Sequence, residues 1–475
     1  MDQSTASSSS NALEANFHRM VALSRQQPSP TLAERLDRLA RLSTMLAANE
    51  TQFQQVISAD FGHRAAIETT MAETLLVQGE IKHARKHLRR WMRPRRAAVN
   101  FTFRPARGEL RYAPLGVVGI VAPWNYPFQL VVVPLANALA AGNRVMVKPS
   151  EFTPRVDALI ARLVDEVFTP DEVVVVQGDH EVSAAFSALP FDHLLFTGST
   201  AVGKRVMAAA AQNLTPVTLE LGGVLDRVIR GNHRRALAAE RIAFGKCFNG
   251  GQTCVAPDYV LVPRAQRDAF VDAYLASLAR RFPDLGSDVD YTTTINARQA
   301  DRLRGWLADA RERGVVVRQH ATGADRAPAD LQLIPPTVLI DPPDEATVMR
   351  EEIFGPLLPV KSYDSHEQAI AYVLGRDKPL AFYAFDRDDE RTRRTLDRVS
   401  AGMACVNDVL IQFGQSQFPI GGVGASGMGA YHGHTGFLTF SKAMPVLYQS
   451  RLNGMKLFDT PYSGLARRLV GWLAR

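Results

Sequence analysis

The sequence predicts an α/β fold built as two successive layers of parallel sheet covered by helices. Three observations predict it. The run Val117 to Ala122 is apolar without alternation, as in a strand buried on both faces. From that run onward, strand-like and helix-like segments alternate as far as Phe196. A second series of the same kind begins near Leu219, so the two layers are expected to join near residue 218.

The elements follow in chain order. Leu32 to Gln54 reads as an amphipathic helix, with Leu36, Leu39 and Leu42 near helical spacing. Met71 to Trp91 reads as a second helix. Val99 to Tyr112 alternates apolar and polar residues around Pro105 to Gly108, which predicts a hairpin. After the Val117 to Ala122 strand comes a helix at Leu130 to Ala141 and a strand at Arg144 to Val147. A helix from Pro154 and strands at Val173 to Val176 and His193 to Phe196 complete the first series. The second has a helix at Ala236 to Phe248, a strand at Tyr259 to Val262, and helices at Gln266 to Arg280 and Asn296 to Arg313.

Composition narrows the class. The chain has 475 residues, 46% hydrophobic and 22% charged, which excludes a disordered tail, a collagen and a coiled-coil rod. Three cysteines cannot staple a chain of this length and point to a reducing, cytoplasmic setting. No apolar run is long enough to cross a bilayer, and the Ser-rich start, Met1 to Asn16, does not read as a signal peptide. The net charge of +7 is concentrated. Ten Lys or Arg lie from Lys82 to Arg107, with no Asp or Glu between Ile81 and Gly108. Such a run fits either a polyanion patch or a solvated face that meets acidic groups of another subunit, and alone it is a weak signal for nucleic acid.

Two glycine motifs bear on phosphate binding. Gly198 to Lys204 approaches the P-loop pattern, but Arg205 stands where a magnesium-holding Ser or Thr is needed, which excludes an NTPase. The segment still predicts a strand running into a turn and a helix N-terminus, whose free N–H groups suit an anion. Gly422 to Gly427 matches GxGxxG literally, without the strand and βαβ context, and reads as a flexible loop. Among the cysteines, Cys247 and Cys405 read as small buried hydrophobes. Cys254 differs, because the glycines before it let other groups approach its backbone. Glu220 lies 34 residues upstream, at a strand end.

Six motifs in order carry a resemblance: Pro123-Trp-Asn-Tyr-Pro-Phe128, Lys148-Pro-Ser-Glu151, Phe196-Thr-Gly-Ser-Thr200, Glu220-Leu-Gly-Gly223, Gly251-Gln-Thr-Cys254 and Glu351-Glu-Ile-Phe-Gly-Pro356. From about residue 30 to 445 the chain resembles the NAD(P)-dependent aldehyde dehydrogenase superfamily. Within it, Tyr291 to Asn296, Val406 to Asp408 and the Pro419 to Gly429 loop resemble the class-3-like branch, nearest to its coniferyl aldehyde group.

The resemblance implies a Rossmann-type cofactor domain (1–97 and 114–218), a catalytic domain (219–439), a β-hairpin oligomerisation arm (98–113 with 440–450) and a tail (451–475). It assigns Cys254 as nucleophile, Asn125 with the Cys254 N–H as oxyanion donors, and Glu220 as the base that activates water. Lys148 and Glu151 are implied at the adenosine ribose, Ser199 at the pyrophosphate, Glu352 at the nicotinamide ribose and Phe354 beside it. Trp124, Gly198, Gly203 and Leu221 complete the implied cofactor set, and no metal is implied. The partners expected are an aldehyde substrate and a second copy in a homodimer, with no nucleic acid and no stable membrane anchor. NAD is expected to be preferred, with some NADP use, because Glu151 would repel a 2′-phosphate. A CoA-acylating semialdehyde dehydrogenase and a catalytically impaired cofactor-binding protein are the alternatives. One departure stands out. After Gly223 the chain reads Val224-Leu-Asp-Arg-Val-Ile-Arg-Gly-Asn-His-Arg-Arg235, which places Asp226 and Arg227 in an expected buried strand. Disorder there is expected to slow deacylation more than acylation.

Overall fold

The computed structural model describes residues 3–222, 226–229, 235–328 and 331–474. Its strands, in chain order, begin with β1 (Arg95–Ala97), β2 (Arg107–Pro114), β3 (Val117–Val121), β4 (Arg144–Lys148) and β5 (Val173–Val175). β6 (His193–Gly198), β7 (Val217–Leu221), β8 (Asp226–Ile229), β9 (Val260–Pro263) and β10 (Val316–Gln319) follow. The last are β11 (Thr337–Ile340), β12 (Leu357–Tyr363), β13 (Ala381–Phe385), β14 (Met403–Val406), β15 (Gly427–Met428) and β16 (Ser441–Tyr448).

They form three sheets. The first has the order β15-β7-β6-β3-β4-β5, parallel except for β15. Its inner strands alternate between two cores. Val118, Ile120, Val145, Val147 and Leu195 enter one core, while Val117, Val121, Met146, Leu194 and Phe196 enter the other. Burial on both faces is why these strands read as unbroken apolar runs. The second sheet has the order β10-β11-β12-β9-β8-β13-β14, and only β10 runs antiparallel. Val260 and Val262 face one of its cores and Leu261 the other. The third sheet, β1-β2-β16, is antiparallel, and Tyr112 of β2 packs against the first core.

Several expectations need correction. The single helix expected over 32–54 is two, Leu32–Ala48 and Glu50–Phe61, broken at Asn49, whose side chain bonds the Met45 carbonyl. Thr31 and Glu34 form a capping box at the start of the first. The second helix begins with a π-helical turn over Thr70–Leu75 before Leu76–Trp91. A helix over Gln3–Gln26 occupies the Ser-rich start, where none was expected. The hairpin at 99–112 is displaced: its first strand is β1, and Phe101 and Phe103 lie exposed on a 3₁₀ turn. Pro105, which has no N–H to give a ladder, sits in the connection rather than in a strand. The chain leaves the first sheet after Leu221, three residues beyond the expected join.

The loop at Gly422 to Gly427 is not free. It carries a Gly424–Gly427 bridge, and Gly427 opens β15, which pairs with β7. Gly427 has φ +139, and a Cβ there would lie 2.1 Å from the Leu219 carbonyl oxygen, so glycine serves close backbone approach. The unusual segment after Gly223 does contribute a strand: β8 pairs with β13, Asp226 opposite Phe382, and with β9. Residues 223–225 and 230–234 lie outside the described residues. The ten basic residues of 82–107 are exposed and make no ion pair among the described residues. The tail ends in a helix over Gly464–Leu473 that buries Ala466 and leaves Leu465, Trp472 and Leu473 exposed. Among the described residues no helix is long and apolar enough to cross a membrane.

Candidate active site

The first sheet reverses its strand order at β3: the chain proceeds outward through β4 and β5, then returns to the other side of β3 with β6 and β7. A crevice forms beyond the carboxyl ends of the strands at such a switch point. Trp124 and Asn125 follow β3, Gly198 and Ser199 close β6, and Glu220 and Leu221 end β7. These six residues line one cavity with Cys254, Glu352 and Phe354 from the second half of the chain. Lys148, Glu151 and Gly203 stand outside that lining. Lys148 is fully buried at the end of β4, and its Nζ donates to the Pro149 carbonyl at 2.6 Å. Gly203 lets the helix Thr200–Ala211 close on β7, since a Cβ there would lie 2.5 Å from Leu221 Cδ2.

Cys254 is delivered by a tight path. After the helix Arg235–Cys247 the chain takes three successive left-handed residues, Asn249 (φ 54°), Gly250 (φ 60°) and Gly251 (φ 75°). At Gly251 a Cβ would lie 2.4 Å from the Gly355 carbonyl oxygen, so no larger residue fits. Gln252 pins the turn: its Nε2 donates to the Asn249 and Thr293 carbonyls, and its Oε1 accepts from the Ile295 N–H. Cys254 itself is half-buried. Burial, and then the Glu352 and Glu220 carboxylates, push its thiol well above the usual range.

Asn125 is held from both ends. Its side-chain Nδ2 donates to the Gln252 carbonyl at 3.1 Å, and its own carbonyl accepts from Arg64 Nη1 and Asn249 Nδ2. An amide nitrogen carries two hydrogens, so one remains for a developing oxyanion. Glu220 is 6% exposed, and its Oε1 has no hydrogen-bond partner among the described residues. Burial pushes its carboxyl up to about 8. A carboxyl of this kind can take a proton near neutral pH.

The remaining lining suits an extended polar ligand. Ser199 caps the helix Thr200–Ala211, whose first turn opens beside the cavity. Gly222 admits the Glu352 carboxylate: a Cβ there would lie 1.9 Å from Glu352 Oε2. Phe354 holds φ +48° and meets Trp124 edge-on at 5.3 Å between ring centres. Arg302 donates to the Ile353 carbonyl at 2.7 Å and steadies this strand of residues. The described residues contain no cluster of three or more metal-ligating side chains.

A second, mainly apolar cavity meets the first at Cys254, Leu130 and Phe413. Met71, Leu76, Tyr126, Phe244 and Ile411 are among its walls. Sequence reasoning did not place these residues, nor Gln299, Arg302 and Tyr431 of the first cavity. They come from helices and loops far apart in the chain, and no local pattern marks them.

Comparisons with known proteins place the chain in a family. The aldehyde dehydrogenase family model matches residues 3–446. A probable coniferyl aldehyde dehydrogenase of Pseudomonas aeruginosa is 48% identical over 97% of this chain and 96% of its own length. A coniferyl aldehyde dehydrogenase of a Pseudomonas species is 44% identical over 97% and 96%. A solved structure of substrate-bound Staphylococcus aureus AldH superposes with a TM-score of 0.91 at 35% identity, covering 97% of this chain and 99% of that one. A Mycobacterium tuberculosis aldehyde dehydrogenase complexed with NAD+ reaches 0.82 at 27% identity, over 94% and 91%. With crevice, thiol loop and whole-chain likeness in agreement, the chain belongs to the aldehyde dehydrogenase family of oxidoreductases.

Proposed function

We propose that the chain oxidises an aromatic aldehyde such as coniferyl aldehyde, or a medium- or long-chain aliphatic aldehyde, to the carboxylic acid with NAD as acceptor and NADP as the lesser one. One observation carries this reading: Cys254 stands where an apolar tunnel meets the crevice that also holds Asn125 and Glu220. The names of the Pseudomonas relatives support the aromatic substrate. The helix N-terminus at Ser199, the notch at Gly222 filled by Glu352, and the Trp124–Phe354 pair fit a dinucleotide. Bound there, NAD supplies a hydride acceptor.

The chain's own groups do the rest. The Cys254 thiol gives its proton to solvent at the mouth of the crevice, and the thiolate adds to the aldehyde carbon and forms a thiohemiacetal oxyanion. The free hydrogen of the Asn125 amide and the Cys254 N–H receive that oxyanion. Loss of hydride from the same carbon leaves a thioester on Cys254. Glu220 takes a proton from water, the hydroxide adds to the thioester, and the acid departs as the thiol is restored. Lys148 and Glu151, at the end of β4, are assigned to the adenosine ribose, and Leu221 and Gly198 to the crevice walls. A homodimer, with the β1-β2-β16 sheet in its interface, is proposed because Leu447 is exposed on the sheet and Phe101 and Phe103 on the turn that joins β1 to β2.

The test is NADH formation with coniferyl aldehyde and hexanal, with and without CoA. The reading requires turnover with at least one aldehyde in the absence of CoA. Turnover only with CoA would establish the acylating alternative, and cofactor binding without turnover the impaired one.

A further inference from the structure

A buried polar cluster lies behind the thiol loop, and the mechanism above does not use it. Glu68, on the short helix Ala66–Thr69, is 8% exposed. Its Oε2 accepts from the Asn249 backbone N–H at 3.0 Å and from Thr292 Oγ1 at 2.7 Å. Asn249 is the first of the three left-handed residues that lead to Cys254. Its side chain donates to both the Asn125 and the Gln252 carbonyls. Arg64, fully buried, pairs with Glu73 at 2.7 Å and also donates to the Asn125 carbonyl. Glu73 in turn accepts the Phe128 and Gln129 N–H groups, which continue the Asn125 loop.

A buried carboxylate is costly unless charge partners and hydrogen bonds offset the lost hydration. Here burial raises the Glu68 carboxyl to about 7, against the opposing pull of Thr292 and Arg64. A backbone with three successive positive φ values persists only where its surroundings over-determine it. We propose that Glu68 is a positioning residue: its carboxylate anchors the Asn249–Gly251 turn and so fixes Cys254 against the Asn125 amide. Arg64 and Glu73 do the same for the Asn125 side of the pair. The inference rests on the roles given above to Cys254 and Asn125.

The experiment compares Glu68→Ala, Glu68→Gln and Thr292→Val. Three readouts are taken: kcat and the NAD KM with a turned-over aldehyde, the rate of Cys254 alkylation by iodoacetamide, and Tm. Misplacing a reacting group by about 1 Å costs up to about a hundredfold. Glu68→Ala is expected to lower kcat at least about tenfold and to change the alkylation rate, with the NAD KM unchanged. Glu68→Gln keeps an acceptor oxygen for both donors and is expected to stay within about threefold of wild type; Thr292→Val should fall between the two. Wild-type kcat and alkylation in a folded Glu68→Ala would overturn the proposal. So would a Glu68→Gln as impaired as the alanine variant, or equal losses in kcat and NAD KM, which mark general loosening. Alkylation needs no substrate, so it reports on the loop even if the aldehyde assigned above is wrong.

Discussion

Replacing Glu220 by Gln separates the two halves of the reaction. In the wild type the Glu220 carboxyl lies near 8 because burial disfavours its ionised form. At pH 7 about one tenth of the molecules carry the base in its active form, and each further unit of acid removes about another factor of ten. Where deacylation limits turnover, kcat should therefore rise about tenfold from pH 6 to 7 and level off above about 8 to 9. Glu220→Gln removes the base and should lower kcat about 10²- to 10⁴-fold and flatten this profile. Addition of the thiol to the aldehyde does not require Glu220, so rapid mixing should still show close to one NADH per active site before a slow phase. Stability moves the other way. Folding favours the protonated carboxyl, so this contribution is fully present below about 4.5 and is lost as pH rises through about 8. At pH 7 the loss is about 3 kcal/mol, and the Tm of Glu220→Gln relative to wild type should climb between pH 5 and 8. A variant with no burst, or an unchanged pH profile in steady-state assays, would refute the role given to Glu220.

Further outcomes follow from the same geometry. Asn125→Ala should lower kcat by about 10²- to 10³-fold, read in the same NADH assay, because one oxyanion donor is lost. Gly222→Ala places a Cβ 1.9 Å from Glu352 Oε2 and should raise the NAD KM with little change in the aldehyde KM. Glu151→Gln should raise kcat/KM with NADP relative to NAD, since a negative charge near a 2′-phosphate is removed. Light scattering should give a dimer mass at micromolar concentration, and a monomer mass would count against an interface at the β1-β2-β16 sheet. Because β8 is paired into its sheet, the wild type should show no deacylation defect traceable to Asp226–Ile229. A burst followed by a slow phase in the wild type, relieved by substituting that segment, would show otherwise.

Much of the fold could be read from the chain because burial on both faces leaves a plain mark. Val117 to Val121 and His193 to Phe196 have no polar alternation and are strands with a core on each side. The motif residues were legible for a related reason: Gly198, Gly222 and Gly251 stand where the Phe196 ring, the Glu352 carboxylate and the Gly355 backbone, respectively, come too close for a Cβ. The misses have physical causes too. Asn49 ends a helix by bonding its own chain, which a periodicity count passes over. Arg64, Glu68 and Glu73 look like any surface charges in sequence, and only the tertiary structure shows that they face each other in the dark. The apolar tunnel draws on residues from 71 to 414 and has no local signature.

The pairing of β2 with β16 has a consequence for how the chain is made. β2 ends at Pro114, and the strand that zips along its whole length begins only at Ser441. A ribosome working at about 5–20 residues per second needs roughly 15 to 65 s to supply that partner. Through that interval Arg107 to Pro114 is an unfinished edge, open to a neighbouring nascent chain or to a chaperone. The same long-range closure makes the arm a late event and a sensitive one. A chain that stops short of residue 441 keeps both large sheets' central strands but leaves this edge unpaired for good. Such fragments are expected to aggregate during synthesis rather than to accumulate as inactive monomers.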